Sequence, residues 1–208
     1  MKKQVEKEHY IFKRYMSKPR WASMWHQVDE VLAFTPETVL EIGPGPGVFK
    51  ALISQFGTNV KTLDIDPGLQ PDYEESADNM PFEDGAFDVV CAFQMLEHVP
   101  YEVSLAIFCE MARVAKKGIV ISLPDAKPAW PYAIYIPKIG TLHFHLNRPR
   151  VRPKEHVFDG EHYWEINKAG FPLSRIQSDL EKAAGTSLVR TYRVNENPYH
   201  RFFVFTKI

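Results

Sequence analysis

The sequence predicts an α/β fold: a mostly parallel sheet with helices on both faces, closed by an antiparallel strand near the C-terminus. Three observations carry this. Short apolar runs alternate with longer amphipathic segments over residues 36–123, and parallel strands require such crossovers. The first apolar run ends in a glycine-rich turn that leads directly into a helical pattern. Two apolar runs near the end flank a turn containing Asn195, Asn197 and Pro198.

Each element has its own warrant. Residues 5–34 read as helical, with Val28, Val31 and Leu32 at helical spacing, a break near Pro19 and an end before Pro36, which makes residues 1–35 an N-terminal helical cap. Residues 38–42, 60–65, 87–93 and 118–123 are short and apolar, as buried parallel strands are. Residues 48–56 and 101–117 read as helices, with Gly57 and Gly118 at the positions of helix C-caps. Between Asp66 and Asn79 lie only twelve residues, including Pro67, Gly68 and Pro71, so the helix between the second and third strands is shortened or absent. Six of the 16 prolines fall in residues 124–153, among Trp130, Tyr132, Tyr135 and Phe144, which predicts an irregular or mixed insertion over residues 124–165. Residues 172–184 form a helix stopped by Gly185, and residues 188–194 and 202–207 form the closing strand pair.

Composition bounds the function. With 208 residues, 45% hydrophobic and 25% charged, the chain reads as one domain, residues 1–208, and neither as a disordered segment nor as a disulfide scaffold. Cys91 and Cys109 sit in apolar segments and read as reduced, buried thiols. No run approaches the 18 or so apolar residues of a membrane span, and the basic start MKKQVEKEHYIFKR lacks the apolar stretch of a signal peptide, so a cytoplasmic location is expected. The net charge of −1 is unevenly spread: residues 1–20 carry +5, and Arg148, Arg150, Arg152 and Lys154 carry +4, leaving −10 on the remainder. An acidic body of this kind argues against general nucleic-acid binding, while the basic patches suit an anionic group on a small-molecule substrate.

The segment VLEIGPGPGVF, residues 39–49, concentrates the chemistry. Gly43, Gly45 and Gly47 follow a buried strand that ends near Glu41, and a helix starts at once; glycine permits the tight turn and lets backbone approach a ligand. A phosphate loop is excluded, because no Lys-Ser or Lys-Thr follows, and the dinucleotide pattern G-x-G-x-x-G fails at Val48. The remaining pattern, acidic-x-Gly-x-Gly-x-Gly, resembles the first motif of the class I S-adenosylmethionine-dependent methyltransferases. The likeness continues through VKTLDIDP at residues 60–67, ADNMPFEDGAFDVV at 77–90 and CAFQMLEHVP at 91–100, and covers roughly residues 36–123. It is closest to the small-molecule subgroup that includes quinone-ring methyltransferases.

That resemblance implies a Rossmann-like methyltransferase sandwich and S-adenosylmethionine as cofactor. It places Glu41, Gly43, Gly45, Gly47, Asp64, Ile65, Ala77, Asp78, Phe93 and Gln94 in the cofactor site, with Asp64 on the ribose hydroxyls, where a carboxylate accepts two hydrogen bonds from a vicinal diol. Where the family commonly has an adenine-contacting acid the chain has Ser76, so Asp78 and the backbone of Ala77 and Asp78 stand in as candidates. Residues 155–165, EHVFDGEHYWE, bring imidazoles and carboxylates together, and with His98 they make His98, His156 and His162 the candidate catalytic residues. His143, His145, His156 and His162 match no compact ligand spacing, so no metal is expected. The resemblance puts the acceptor site between the N-terminal helices and the insertion. The apolar stretch 128–146 favours an apolar or aromatic acceptor, or else a docking surface for a membrane, a lipid or a second subunit. Oxygen is the expected methylated atom, although no motif separates it from nitrogen or carbon. A nucleotide-dependent oxidoreductase and a non-catalytic cofactor-binding module stay open as alternatives.

Overall fold

The computed structural model describes residues 11–149, 152–158 and 160–207, so the predicted start of the helical cap, its basic residues Lys2, Lys3 and Lys7, and also Arg150 and Asp159 lie outside the described residues. In chain order the main elements are α1 (Phe12–Tyr15), α2 (Lys18–Leu32), β1 (Thr38–Ile42), α3 (Val48–Ile53), β2 (Asn59–Asp64), β3 (Tyr73–Glu74), β4 (Phe87–Phe93), α4 (Tyr101–Val114), β5 (Ala115–Pro124), β6 (Ala129–Ile136), β7 (Gly140–Asn147), α5 (Leu173–Ala184), β8 (Thr186–Arg193) and β9 (His200–Lys207). Seven strands form one sheet in the order β3-β2-β1-β4-β5-β9-β8, and β6 pairs with β7 in a separate hairpin. The pairs joining β1 through β5 are parallel; β9 runs antiparallel to both β5 and β8. This is the predicted fold class, with its antiparallel strand at the C-terminal end.

The sheet is buried on both faces, and side-chain alternation divides the core in two. Leu40 and Ile42 of β1, Val90 and Ala92 of β4, Ile119 and Ile121 of β5, and Phe203 and Phe205 of β9 pack with α4 and α5. Their neighbours Val39, Val89, Cys91, Val120, Phe202 and Val204 pack with α2 and α3 on the other face. Central strands covered on both sides carry apolar residues at most positions, which is why they read as near-continuous hydrophobic runs. Cys91 is buried as expected; Cys109 is only partly so, with its thiol directed at the Ala183 carbonyl, and both are free.

Three sequence expectations change in detail. Pro19 does not break a helix; it stands in the first turn of α2, whose N-cap Ser17 accepts from the Arg20 amide, so the interruption is a helix start. Gly118 is no C-cap, because α4 ends at Val114 and β5 begins at Ala115. A Cβ at Gly118 would lie 2.3 Å from the Phe34 ring and 2.7 Å from the Phe205 carbonyl oxygen, so glycine is required there by packing. The insertion is regular over residues 129–147, where β6 and β7 pair continuously from Ala129–Asn147 to Ile136–Gly140, and its described residues beyond Asn147 form neither helix nor strand. Pro131 is tolerated because a two-stranded ribbon has only edges. One face of this hairpin turns His143 toward Glu196 and His145 toward Asn195, while the other leaves Trp130, Tyr132, Ile134, Leu142, Phe144 and Leu146 exposed.

The shortened connection after β2 is confirmed. A single 3-10 turn, Pro67–Leu69, replaces a helix, capped by the Asp66 carboxylate accepting from the Gly68 amide. Asp72 fastens the segment, accepting from the Thr62 amide at 2.8 Å and hydroxyl at 2.9 Å and pairing with Lys50. These donors hold its carboxyl at about 2, against the pull of burial, which acts the other way. Among the described residues no helix is long and apolar enough to cross a membrane.

Substituting Gly118→Ala should destabilise the fold by about 1–3 kcal/mol, because one of the two groups it meets is backbone and cannot swing away. Thermal unfolding of the variant checks this; an unchanged melting temperature would refute the packing role.

Candidate functional site

The strand order reverses at β1, whose neighbours β2 and β4 leave in opposite directions along the sheet. In open α/β sheets the crevice at the carboxyl ends beside such a reversal is where ligands bind, because the flanking crossovers part there. The glycine turn follows β1 and Gln94 follows β4, so both border this crevice.

The turn has the backbone that glycine was expected to supply. Gly43, Gly45 and Gly47 have φ of 68°, 52° and 70°. The Gly43 amide donates to the Leu63 carbonyl of β2 at 3.0 Å, and a Cβ on Gly43 would meet Met95 Cγ at 2.5 Å. The loop is thus pressed between β2 and the segment after β4, with no room for a side chain at its first glycine.

Glu41 lies beneath this loop. It is buried, one carboxylate oxygen has no hydrogen-bond partner, and burial pushes its carboxyl up to about 8 despite the Lys50 charge and backbone amide. Asp64 ends β2 and accepts from the Asp66 amide at 2.8 Å; burial raises its carboxyl too. Ile65 follows it, half-buried. Ala77 is buried and Asp78 exposed, and the Ser76 hydroxyl donates to Asp78, so the two positions weighed for the adenine side are joined. Phe93 packs edge-on against Phe49 at 5.1 Å between ring centroids. Gln94 has a left-handed backbone, φ 53°, and its side-chain amide donates to the Ser122 hydroxyl at 3.2 Å.

Glu41, Gly43, Phe93 and Gln94 line one cleft with Tyr15 of α1, Arg20 and Gln27 of α2, and His200 of β9. Sequence reading missed these last four. His200 is 4% exposed, and burial together with the Arg20 charge holds its imidazole down at about 3, so it is neutral. No spacing signals it: β9 is the last strand in sequence and reaches the cleft only because it pairs with β5.

A second cluster stands beyond Gln94, in and beside the 3-10 turn Leu96–His98. Residues 161–163 are pinned to this turn: the Tyr163 amide donates to the Glu97 carbonyl at 2.8 Å, and His98 Nδ1 donates to the Glu161 carbonyl at 3.0 Å. The His98 and His162 rings meet edge-on, 4.9 Å apart. His162 Nδ1 bonds Glu165 Oε1 at 2.9 Å, and Glu165 also accepts from the Tyr199 hydroxyl at 2.7 Å. Of the three predicted catalytic histidines, His98 and His162 therefore meet, while His156 stands behind them with Nε2 on the His162 carbonyl at 2.8 Å. Glu97, which the sequence did not single out, is fully buried; both its oxygens lack a partner, and burial pushes its carboxyl to about 8. The four histidines weighed for a metal do not assemble, since His143 and His145 belong to the hairpin and turn toward Glu196 and Asn195.

A family model described as a methyltransferase domain matches residues 40–122. Residues 40–122, which hold the glycine loop, Asp64, Gln94 and the turn after β4, are therefore similar to a methyltransferase domain. The ubiquinone biosynthesis O-methyltransferase of Pseudomonas paraeruginosa strain PA7 is 30% identical over 62% of this chain and 64% of its own length. That of Paraburkholderia xenovorans strain LB400 is 32% identical over 39% of this chain and 42% of its own. The chain thus spans less than two thirds of the curated relatives it matches. Among solved structures, the 1,6-didemethyltoxoflavin-N1-methyltransferase of Burkholderia thailandensis, with its substrate and S-adenosylhomocysteine bound, aligns at TM-score 0.64 and 15% identity, covering 96% of this chain and 84% of that one. The magnesium protoporphyrin IX methyltransferase of Synechocystis PCC 6803, with S-adenosylmethionine bound, aligns at 0.59 and 16% identity, covering 97% and 90%. These likenesses extend the methyltransferase fold from the matched residues to nearly the whole described chain.

The buried acid under the glycine loop makes the domain's stability depend on pH. Glu41 keeps its proton in the folded chain up to about pH 8, whereas an unfolded chain releases it near the ordinary 4.5. Its contribution is therefore fully present below 4.5 and is lost as pH rises through that window. The unliganded Glu41→Gln variant should lose less melting temperature than wild type between pH 5 and 8, read by thermal unfolding across a pH series; parallel curves would show that Glu41 is ionised in the fold.

Proposed function

We propose that the chain transfers the methyl group of S-adenosylmethionine to an oxygen of a small apolar or aromatic acceptor. One observation carries the reading: the glycine loop, the under-satisfied Glu41 and the terminal acid of β2 converge at the carboxyl edge where the strand order reverses. Three features fit this cofactor. The left-handed loop presents backbone without side chains, so an extended ligand can lie directly on it. The orphaned Glu41 oxygen is an acceptor for the cofactor's ammonium group. Asp64 needs no proton of its own to accept from both ribose hydroxyls. Ile65, Ala77 and Asp78 would border the adenine, and Phe93 and Gln94 the methionine end.

When bound, the cofactor supplies a methyl group on a positively charged sulfur. The chain's own residues position and exclude water, which can account for much of the rate of a displacement. Phe49, Phe93 and Phe202 form a packed aromatic wall behind the cleft, and Gln94 is fixed by Ser122. The acceptor would lie beyond Gln94, against the turn that bears His98 and the segment that bears His162. The printed names of the curated relatives favour oxygen as the methylated atom. The exposed apolar face of β6 and β7 favours an acceptor with an apolar body, or one carried in lipid.

Calorimetry with S-adenosylhomocysteine tests the cofactor half. Wild type should bind, Asp64→Ala should bind at least about tenfold more weakly through loss of the diol contact, and Gly43→Ala should bind similarly poorly because its Cβ collides with Met95. Absence of binding by wild type, or Asp64→Ala binding undiminished, overturns the reading. Methyl transfer from labelled cofactor to catechol acceptors, followed by mass spectrometry, tests the oxygen assignment.

A further inference from the structure

We propose that Glu97, His98 and His162 form a binding site for a divalent transition-metal cation of the zinc, iron(II) or manganese(II) class. Each offers one ligand atom, and the three atoms lie within 4.8 Å of one another. Atoms bound to one cation at about 2.0–2.2 Å stand roughly 3–4 Å apart, so small side-chain rotations close the set.

Two independent observations point to a ligand there. Glu97 is fully buried with neither oxygen hydrogen-bonded. Protein interiors tolerate an orphaned carboxylate poorly, and a bound cation would supply its missing partner. The nearby Asp125 shows how this chain ordinarily satisfies a buried acid: Arg201, Asn167 and the Lys127 amide all donate to it. The second observation is the orientation of the imidazoles. His98 Nδ1 faces a carbonyl and His162 Nδ1 a carboxylate, so both must donate from Nδ1, and in the neutral rings Nε2 carries the lone pair. Metal-binding imidazoles are held in this way, with the other nitrogen donating to a carbonyl or carboxylate. Glu165, itself anchored by Tyr199 and near Lys168, would thus be a positioning residue for His162.

The donor set selects the cation. Two imidazoles and one carboxylate suit borderline metals, whereas magnesium and calcium prefer oxygen alone. Three protein ligands leave further positions open to water or to a substrate oxygen. Resting on the proposed function, the cation would bind the acceptor hydroxyl and lower its pKa so that its proton passes to water, with no side chain needed as general base. Metal binding itself does not depend on that reading.

The test uses the full chain, stripped with chelator and titrated with zinc chloride by calorimetry, then loaded with cobalt(II) for its visible absorption. One zinc per chain is expected, lost or weakened at least tenfold in both Glu97→Gln and His162→Ala, with the cobalt band lost in parallel. Glu165→Gln should retain the site but weaken zinc about 10–100-fold, as changes to residues behind a ligand do. Glu97→Gln keeps the shape of the side chain, and circular dichroism of each metal-free variant confirms folding; should one fail to fold, the other decides. No stoichiometric zinc in wild type, or zinc retained undiminished by the folded variants, overturns the site. Binding of S-adenosylhomocysteine to the same preparations is scored separately, so a failed metal site with intact cofactor binding leaves the proposed function standing, and the reverse result does the opposite.

Discussion

The structure depends on one constraint: a parallel sheet must be covered on both faces. Each connection between its parallel strands has to leave the sheet and return, and coverage of both faces requires some to pass on each side. Where the direction of travel reverses, at β1, the coverings part and the strand ends are left open. The glycine loop, Asp64 and Gln94 all lie at this opening because each directly follows, or ends, one of the adjacent strands β2, β1 and β4. The same demand explains the apolar character of β1, β4, β5 and β9 and the two-sided core.

Against that apolar background the buried acids stand out, and the chain treats them differently. Asp88 accepts from the Glu37 and Thr38 amides and lies near Lys117, while Asp125 is surrounded by donors. Both serve the scaffold. Glu41 and Glu97 keep oxygens without partners, and both lie where loops leave the carboxyl edge of the sheet. Unsatisfied buried groups cost stability and are tolerated where a ligand completes them. This contrast within one chain distinguishes the acids that hold the fold from those assigned here to its ligands.

The covering of the cleft also departs from symmetry. On the β2 side a 3-10 turn and the Asp72 contacts take the place of a helix. On the β5 side the chain leaves the sheet as a hairpin whose outer face is apolar and whose inner face touches residues 195–196. The cleft is consequently fastened by polar contacts on the β2 side and flanked by an exposed apolar hairpin face on the β5 side.

The glycine triplet, Asp64 and the strand-helix alternation were legible in sequence because each depends on local backbone chemistry: left-handed dihedrals that favour glycine, a carboxylate at a strand end, and apolar runs of strand length. The hairpin was obscured by its prolines, which usually mark irregular chain, and Gly118 resembled a cap because the end of α4 and the start of β5 share no breaker. Tertiary structure alone decided what long-range pairing decides. His200 reaches the cleft through β9 pairing with β5, and His162 meets His98 across 64 positions of chain because residues 161–163 hydrogen-bond to the turn after β4. Whether Glu97 has a partner could not be read from its neighbours in sequence, since burial and satisfaction are properties of the folded surroundings. The sequence by itself determined the fold class and the glycine loop; the packed structure decided which polar groups assemble beyond Gln94.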